Sequence, residues 1–172
     1  MDAYMITFRI IHVVSAILWV GSGVFFVAFV GPTLQAFGPE GGKFFAHLVR
    51  QRKAVVWFVT VSTLTVVAGG FLYWRTSGGL DINWMQTGIG IGFTVGAIAG
   101  ITAWLLVLLV LTPTVKRLVG LGGQIAGGGG PPSQELMMML QATQSRQKRV
   151  SYIITTLILI AAAAMATARY LF

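Results

Sequence analysis

The stretch from Met5 to Val30 reads MITFRIIHVVSAILWVGSGVFFVAFV, and it decides the fold of this chain. A membrane-spanning helix needs about 20 predominantly apolar residues, and this stretch is long enough to cross a bilayer. Inside a bilayer a backbone N–H or C=O finds no water, so a continuous apolar run of this kind predicts an α-helix. The stretch does not alternate between apolar and polar residues, as a transmembrane β-strand would.

Three more stretches of the same character follow. They run from about Ala54 to Trp74, from about Gly88 to Leu111 and from about Val150 to Phe172. The first span is expected to end at Gly31-Pro32 and the third near Pro113, because proline breaks helices. The sequence therefore predicts an all-α protein, a single domain whose four transmembrane helices form a four-helix bundle.

The composition agrees with a membrane environment. The 172 residues are 56% hydrophobic and only 9% charged, whereas soluble domains carry roughly 25% charged residues. The formal charge is +8, but the basic residues stand between apolar spans, so the expected partner is the lipid bilayer and not nucleic acid. The chain has no cysteine, which excludes disulfides, thiolate metal sites and cysteine catalysis within it.

The charged residues also predict the orientation in the membrane. Lys and Arg concentrate in the loops after the first and third spans, at Lys43, Arg50, Arg52, Lys53, Lys116, Arg117, Arg146, Lys148 and Arg149. The loop after the second span, from Arg75 to Thr87, holds one basic residue. By the positive-inside rule, the first and third loops are expected to be cytoplasmic, and both termini are expected to face outward from the plasma (inner) membrane.

The two long loops have features of their own. From Lys43 to Lys53 the apolar residues recur at helical spacing, which predicts an amphipathic turn at the membrane interface. A cytoplasmic linker is expected over 114–149, and its glycine-rich part from Gly120 to Pro132 is expected to be mobile. Ser133 is the expected N-cap of a helix that continues through Met137–Met139 into the fourth span.

The third span carries a glycine at every fourth position, the pattern of a glycine zipper. These residues are Gly88, Gly92, Gly96 and Gly100. Small residues at this spacing let helix backbones approach closely, which is a main source of contact energy between membrane helices. Two interpretations stay open: packing within the bundle, or an interface with a second copy or with a larger membrane complex.

His12 is the one His, Lys, Asp or Glu well inside a span. An ionisable residue at that depth is a candidate functional residue. Met5, His12 and Trp19 lie seven residues apart on the first helix, which predicts that they face the bundle together. A neutral imidazole binds iron, copper or zinc, so His12 is the candidate metal ligand. The alternative is an interhelical hydrogen bond from His12 to a Ser, a Thr or a backbone carbonyl.

Three arginines are expected near the outer surface of the membrane. Arg9 begins the first helix, Arg75 ends the second and Arg169 nearly ends the fourth. A converging set of arginines suits a bidentate carboxylate such as a haem propionate. The alternative is that these side chains extend towards lipid headgroups.

Copper is the second metal considered. Met1, Met5, Met85 and His12 are all expected on the outer side, and thioether and imidazole groups together suit Cu(I). No Asp, Glu or Lys lies deep in a span, so a carboxylate relay for ion-coupled transport is not expected. No nucleophile–base pair is evident in the sequence either, so no catalytic residue is assigned.

One further pattern, H-x6-W-x-G, runs from His12 to Gly21 in the first span. In and around the second span it is followed by Arg52-Lys53, Trp57, Thr65, Gly69-Gly70 and Tyr73. Together these residues resemble the small bacterial membrane proteins grouped with the copper-resistance CopD domain and the HemJ-type protoporphyrinogen oxidases. The resemblance covers the first two helices, and it implies a four-helix fold and a b-type haem with His12 as an axial ligand.

The leading hypothesis is therefore an integral membrane protein that binds haem b at His12 and serves electron transfer or haem-linked redox chemistry. In this hypothesis Arg9, with Arg75 or Arg169, contacts the propionates. Trp19 forms a wall of the pocket. Two alternatives stay open: a cofactor-free accessory subunit of a larger membrane complex, and a copper-handling membrane protein.

Overall fold

The structure is a computed structural model that describes residues 3–128 and 130–171, and these residues form six helices and no strand. The helices are α1 (Ala3–Ala36), α2 (Gly38–Arg50), α3 (Ala54–Thr76), α4 (Ile82–Met85), α5 (Gly88–Gly127) and α6 (Gln134–Tyr170). Four of them, α1, α3, α5 and α6, are long and apolar enough to cross a membrane, so the predicted all-α bundle is confirmed. Met1 and Phe172, which enter the predictions above, lie outside the described residues.

Two helices extend further than predicted. The first does not end at Gly31-Pro32 but continues to Ala36, and the third does not stop near Pro113 but continues to Gly127. The helices therefore continue past the predicted ends of these spans, and where the spans leave the membrane stays a prediction. Within the linker expected over 114–149, the glycine-rich segment is helical as far as Gly127, and the next helix begins at Gln134.

A turn of π-helix explains how each proline is accommodated. The five-residue π-helical turns Phe26–Val30 and Val107–Leu111 stand just before Pro32 and Pro113. Each proline then occupies the first turn of a new α-helical segment, where its missing N–H costs no hydrogen bond. The wider turn makes room for the proline ring, which would otherwise clash with a preceding carbonyl, so both helices continue.

The helix α2 folds back along the end of α1, which confirms a helix in the first long loop. The turn between them uses Gly38 at a φ of 52°. Gly41 lies so close to α1 that a Cβ there would be 2.0 Å from the carbonyl oxygen of Leu34, so only glycine fits. Phe45 then packs against Phe26 with the ring centroids 6.2 Å apart.

The four long helices pack as two closely associated pairs, α1 with α3 and α5 with α6. On α5, the faces of Gly92 and Gly96 lie against Ala161, Met165 and Ala168 of α6. The glycine zipper therefore serves packing within the chain at these two positions. The interpretation as an interface with a second molecule fails there, because α6 already covers both glycines.

The core lies between the two pairs, and all four spans contribute to it. Its central buried residues are Trp19, Val61, Ala103, Val107, Val150, Ile154 and Ile158. The helix α6 begins as predicted, because the Ser133 hydroxyl accepts a hydrogen bond from the N–H of Leu136 at 3.2 Å. It continues as one α-helix over Gln134–Thr167, so the predicted unbroken passage through Met137–Met139 is confirmed.

The shortest span, α3, relates the bundle to a bilayer. Its 23 residues extend about 34 Å at 1.5 Å per residue, close to the roughly 30 Å of a hydrocarbon core. Its two ends are therefore expected at the two membrane boundaries. We call the side at Ala54, where α2 and the α5–α6 connection lie, the basic end, and the side at Thr76 the terminal end. The chain is a multi-pass integral membrane protein.

Candidate functional site

His12 lies where α1 packs on α3, and its side chain is partly buried. Its Nδ1 is 2.8 Å from the backbone carbonyl oxygen of Thr65, near the middle of α3. A carbonyl can only accept a hydrogen bond, so Nδ1 carries the proton and donates it. The interhelical bond to a backbone carbonyl, one of the two sequence-based alternatives, is therefore present. When Nδ1 carries the proton, Nε2 of the neutral imidazole keeps its lone pair.

A glycine on α3 makes room for the imidazole. A Cβ at Gly69 would lie 2.7 Å from Cε1 and 2.8 Å from Nδ1 of His12, closer than side chains tolerate. The neighbouring Gly70 has no such neighbour within 4 Å of a built Cβ. Gly69 is therefore the position that lets the ring of His12 lie against the backbone of α3.

Two buried hydroxyls stand next to the imidazole. The Oγ1 of Thr65 lies 2.9 Å from the Oγ of Ser15 and 2.7 Å from the carbonyl oxygen of Val61. The Ser15 hydroxyl donates to the carbonyl of Ile11 at 2.6 Å. Both side chains are hydrogen-bonded, so their burial leaves no polar group unsatisfied. Sequence reasoning did not single out Ser15, although its position three residues after His12 places it on the same helix face.

The second ring nitrogen of His12 is not used in the contact with α3. Nε2 has no hydrogen-bond partner among the described residues, where the bond of His12 runs through Nδ1. No side-chain nitrogen or oxygen in that part of the chain is both fully buried and unpartnered, so Nε2 is not fully buried. Within residues 3–128 and 130–171, no group of three or more His, Cys, Asp or Glu could hold a metal ion. A metal on His12 therefore needs further ligands from a cofactor or another molecule.

The residues predicted to share one line with His12 lie further along α1. Met5 and Trp19 are each seven residues from His12, about 10 Å along the helix axis in opposite directions. Trp19 is buried in the core and lines a separate cavity towards the basic end. Met85 is on α4, outside the four spans, and Met1 lies outside the described residues. The copper prediction thus gains no support from this arrangement.

The three predicted arginines all lie at the terminal end, and all are exposed. Arg9 is one turn from His12 and forms no ion pair among the described residues. Arg75 is in the last turn of α3 and has an interaction partner, while Arg169 is in the short 3₁₀ turn that ends α6. The three arginines therefore lie at the same end of the bundle, as predicted. Convergence of the three guanidinium groups on one ligand stays a prediction.

Further polar contacts position α3 within the bundle. The pairs are Trp57 with Ser22 at 3.4 Å, Tyr73 with Thr94 at 2.5 Å and Trp104 with Thr63 at 3.0 Å. The first joins α3 to α1, and the other two join α3 to α5. Because α3 carries the carbonyl that orients His12, these contacts also hold the candidate site in place. Sequence reasoning missed them, since a lone Ser, Thr or Trp in a span does not indicate its partner.

No protein-family model, curated protein or solved structure matches the chain. The resemblance to the CopD-domain and HemJ-type proteins therefore stays a prediction from residues of the first two spans. The residues themselves establish a multi-pass integral membrane protein in which Nδ1 of His12 bonds to the carbonyl of Thr65 and Nε2 has no hydrogen-bond partner among the described residues.

Proposed function

We propose that this membrane protein binds a haem b through Nε2 of His12 and serves electron transfer or haem-linked redox chemistry. The observation that carries the proposal is the hydrogen bond from Nδ1 to the carbonyl of Thr65. Histidines that ligate metals almost always donate their other ring N–H to a carbonyl, a carboxylate or water, which fixes the tautomer and raises the basicity of the ligating nitrogen. A single histidine can hold a haem from one side.

Two further features of His12 support the proposal. Gly69 lets the ring lie against α3, and Nε2 is neither fully buried nor bonded to another described residue. Arg9 offers a cation one turn towards the terminal end, and a guanidinium can bind a carboxylate through two hydrogen bonds. Arg75 and Arg169 are the further candidates at that end. A bound haem would supply one-electron chemistry, and the chain would supply the axial ligand and positive charge for the carboxylates.

A reduced-minus-oxidised visible spectrum of the detergent-purified protein tests the proposal. After expression with added haem, we expect a Soret band with the sharp α and β bands of a b-type haem. His12→Ala should lose these bands while the protein still inserts into the membrane. Thr65→Val is the matched control, because it removes the hydroxyl but keeps the carbonyl that accepts from His12, and it should retain the bands.

Two outcomes would count against haem binding at His12. If His12→Ala keeps the full spectrum, His12 is not the ligand. If the wild-type protein shows no haem bands, His12 serves as a hydrogen-bonding contact between helices, and a cofactor-free accessory subunit becomes the favoured function. Metal analysis of the same sample would separate a copper-handling protein from both.

We also propose that the basic end faces the cytoplasm, with both termini outward. The positive-inside rule supports this orientation, because the basic residues of the short loops concentrate at that end. The chain has no cysteine, so single introduced thiols can be labelled selectively. A membrane-impermeant thiol reagent added to spheroplasts should label Gln86→Cys, near the terminal end, and leave Gly127→Cys unlabelled. The reverse pattern would overturn the orientation.

A further inference from the structure

A cavity of about 70 Å³ lies in the membrane half next to the basic end. All four spans and α2 contribute to its lining, and the lining is almost entirely apolar. Trp19 and Val107 line it towards the bundle centre, and Ala54, Val115 and Gln147 line it towards the membrane boundary. Apolar cavities do not hold water, so this one suits hydrocarbon.

Two cations stand at the membrane boundary beside this cavity. Lys116 directly follows Val115, and Arg50 directly follows Val49, and both preceding residues line the cavity. The guanidinium of Arg50 lies against α5, where its Nη2 is 3.5 Å from the carbonyl oxygen of Val119. The end of α2 therefore brings Arg50 to the same helix that carries Lys116.

The two cations lie along one face of α5. Positions 112, 116 and 123 fall within roughly 40° of one another on a helix with 3.6 residues per turn. Thr112 lines the cavity, Lys116 follows one turn later, and a Cβ at Gly123 would be 3.3 Å from Nη2 of Arg50. Along this face of α5, the cavity, Lys116 and the guanidinium of Arg50 therefore follow one another in that order.

Neither cation has a carboxylate partner among the described residues. Their neighbour Lys43, on the exposed face of α2, differs from them because it pairs with Glu40 at 2.7 Å. Arg50 and Lys116 are also expected at headgroup level, since α3 begins at Ala54, the expected membrane boundary, and Ala54 lines the same cavity. An apolar cavity and two unpaired cations therefore meet where lipid tails meet phosphates.

We propose that this site binds one anionic phospholipid of the leaflet at the basic end. The end of one acyl chain enters the cavity, and the phosphate lies between Arg50 and Lys116. Both guanidinium and ammonium groups donate charge-assisted hydrogen bonds to phosphate oxygens, and basic pockets between membrane helices are known to hold anionic headgroups. The site is at the opposite membrane half from Arg9 and does not depend on haem binding at His12.

Native mass spectrometry of the full-length protein in detergent, with phosphatidylglycerol or phosphatidylcholine added, tests the site. The wild type should retain one phosphatidylglycerol and bind it more tightly than phosphatidylcholine. Arg50→Gln and Lys116→Gln should each weaken phosphatidylglycerol binding roughly fivefold, the effect of one basic residue at an anionic lipid surface. Lys43→Gln is the matched control on α2, and it should leave binding nearly unchanged because the cation it removes is already paired.

The cavity is tested separately by Ala54→Leu, which adds bulk to its lining and changes no charge. Retention of phosphatidylglycerol should fall in this variant and stay normal in His12→Ala. Equal binding of the two lipids by the wild type, or equal losses in Arg50→Gln and Lys43→Gln, would overturn the site. Normal lipid retention by folded Ala54→Leu would overturn the placement of the acyl chain. If Ala54→Leu does not fold, the phosphatidylglycerol binding of Arg50→Gln and Lys116→Gln decides whether the site exists.

Discussion

The two tightly packed helix pairs of this bundle are held together by different chemistry. Between α5 and α6 the contact is made by small residues, as where Gly92 lies against Ala168, and the backbones approach closely. Between α1 and α3 the contact includes apolar packing, as where Phe8 stacks on Phe71, and also polar groups, with His12 bonded to Thr65 and the hydroxyl of Ser15 beside them. The first pair therefore depends mainly on shape, and the second adds directed hydrogen bonds.

The difference explains why only the second kind of interface offers a candidate site. A contact of glycine and alanine is complete once the helices meet, because neither residue has a side-chain group left for a ligand. An imidazole has two nitrogens, so His12 can join α1 to α3 through Nδ1 and keep Nε2 available. The same residue can therefore hold the helices together and bind a metal.

The largest effect on stability is expected at the shape-dependent pair. In Gly92→Ala the new Cβ would lie 2.8 Å from Cβ and 2.9 Å from Cα of Ala168, so the backbone of α6 must shift. Overpacking of this kind costs about 1–3 kcal/mol, which a lower midpoint of thermal unfolding in detergent would report. Gly100→Ala is the matched control, because no atom lies within 4 Å of its built Cβ. Equal losses in both variants would contradict close approach as the source of stability.

A smaller effect is expected where the glycine faces a side chain that can move. Gly69→Ala would push the ring of His12 away from Thr65 and cost about 1 kcal/mol, the net contribution of a typical hydrogen bond. If haem binds at His12, its stoichiometry should fall as well. Gly70→Ala, on the same helix, should leave the unfolding midpoint and the haem content unchanged. If Gly69→Ala leaves both the unfolding midpoint and the haem content unchanged, the contact of the His12 ring with α3 is not required for either.

The smallest effect is expected from the hydroxyl pair. Thr65→Val removes the bond between Thr65 and Ser15 and should cost about 0.6 kcal/mol, the average for polar side-chain contacts between membrane helices. Thr102→Val is the control, since Thr102 is exposed and its hydroxyl bonds only to the carbonyl of Ile98 in its own helix. The difference between the two unfolding midpoints measures the polar contact. A loss as large as that of Gly92→Ala would remove the distinction between the two pairs.

The spans could be predicted from the sequence, but the ends of two of them could not. Apolar length is a property of each segment alone, so four spans follow from it directly. Pro32 and Pro113 suggested helix ends because proline lacks an N–H, yet a π-helical turn before each one lets the helix continue. A wider turn of this kind has no clear signature in the local sequence.

The candidate site was predicted in part. His12 stood out because an ionisable residue inside a span is rare, and Arg9, Arg75 and Arg169 were placed correctly at one end of the bundle. Trp19 was expected to face the bundle, and it is buried in the core; its role as a wall of a pocket at His12 stays a prediction. Helical spacing puts residues on one face without saying which part of the neighbouring helix they meet.

Apolar length was enough, by itself, to determine a membrane protein of four spanning helices, and the distribution of Lys and Arg predicts their orientation. These properties are local, because a backbone in lipid must satisfy its hydrogen bonds within its own segment. Only the tertiary structure decided that Gly69 and the carbonyl of Thr65 orient His12, and that Arg50 reaches the face of Lys116. Lipid favours no particular pairing of apolar faces, so close packing and a few polar contacts select which residues meet.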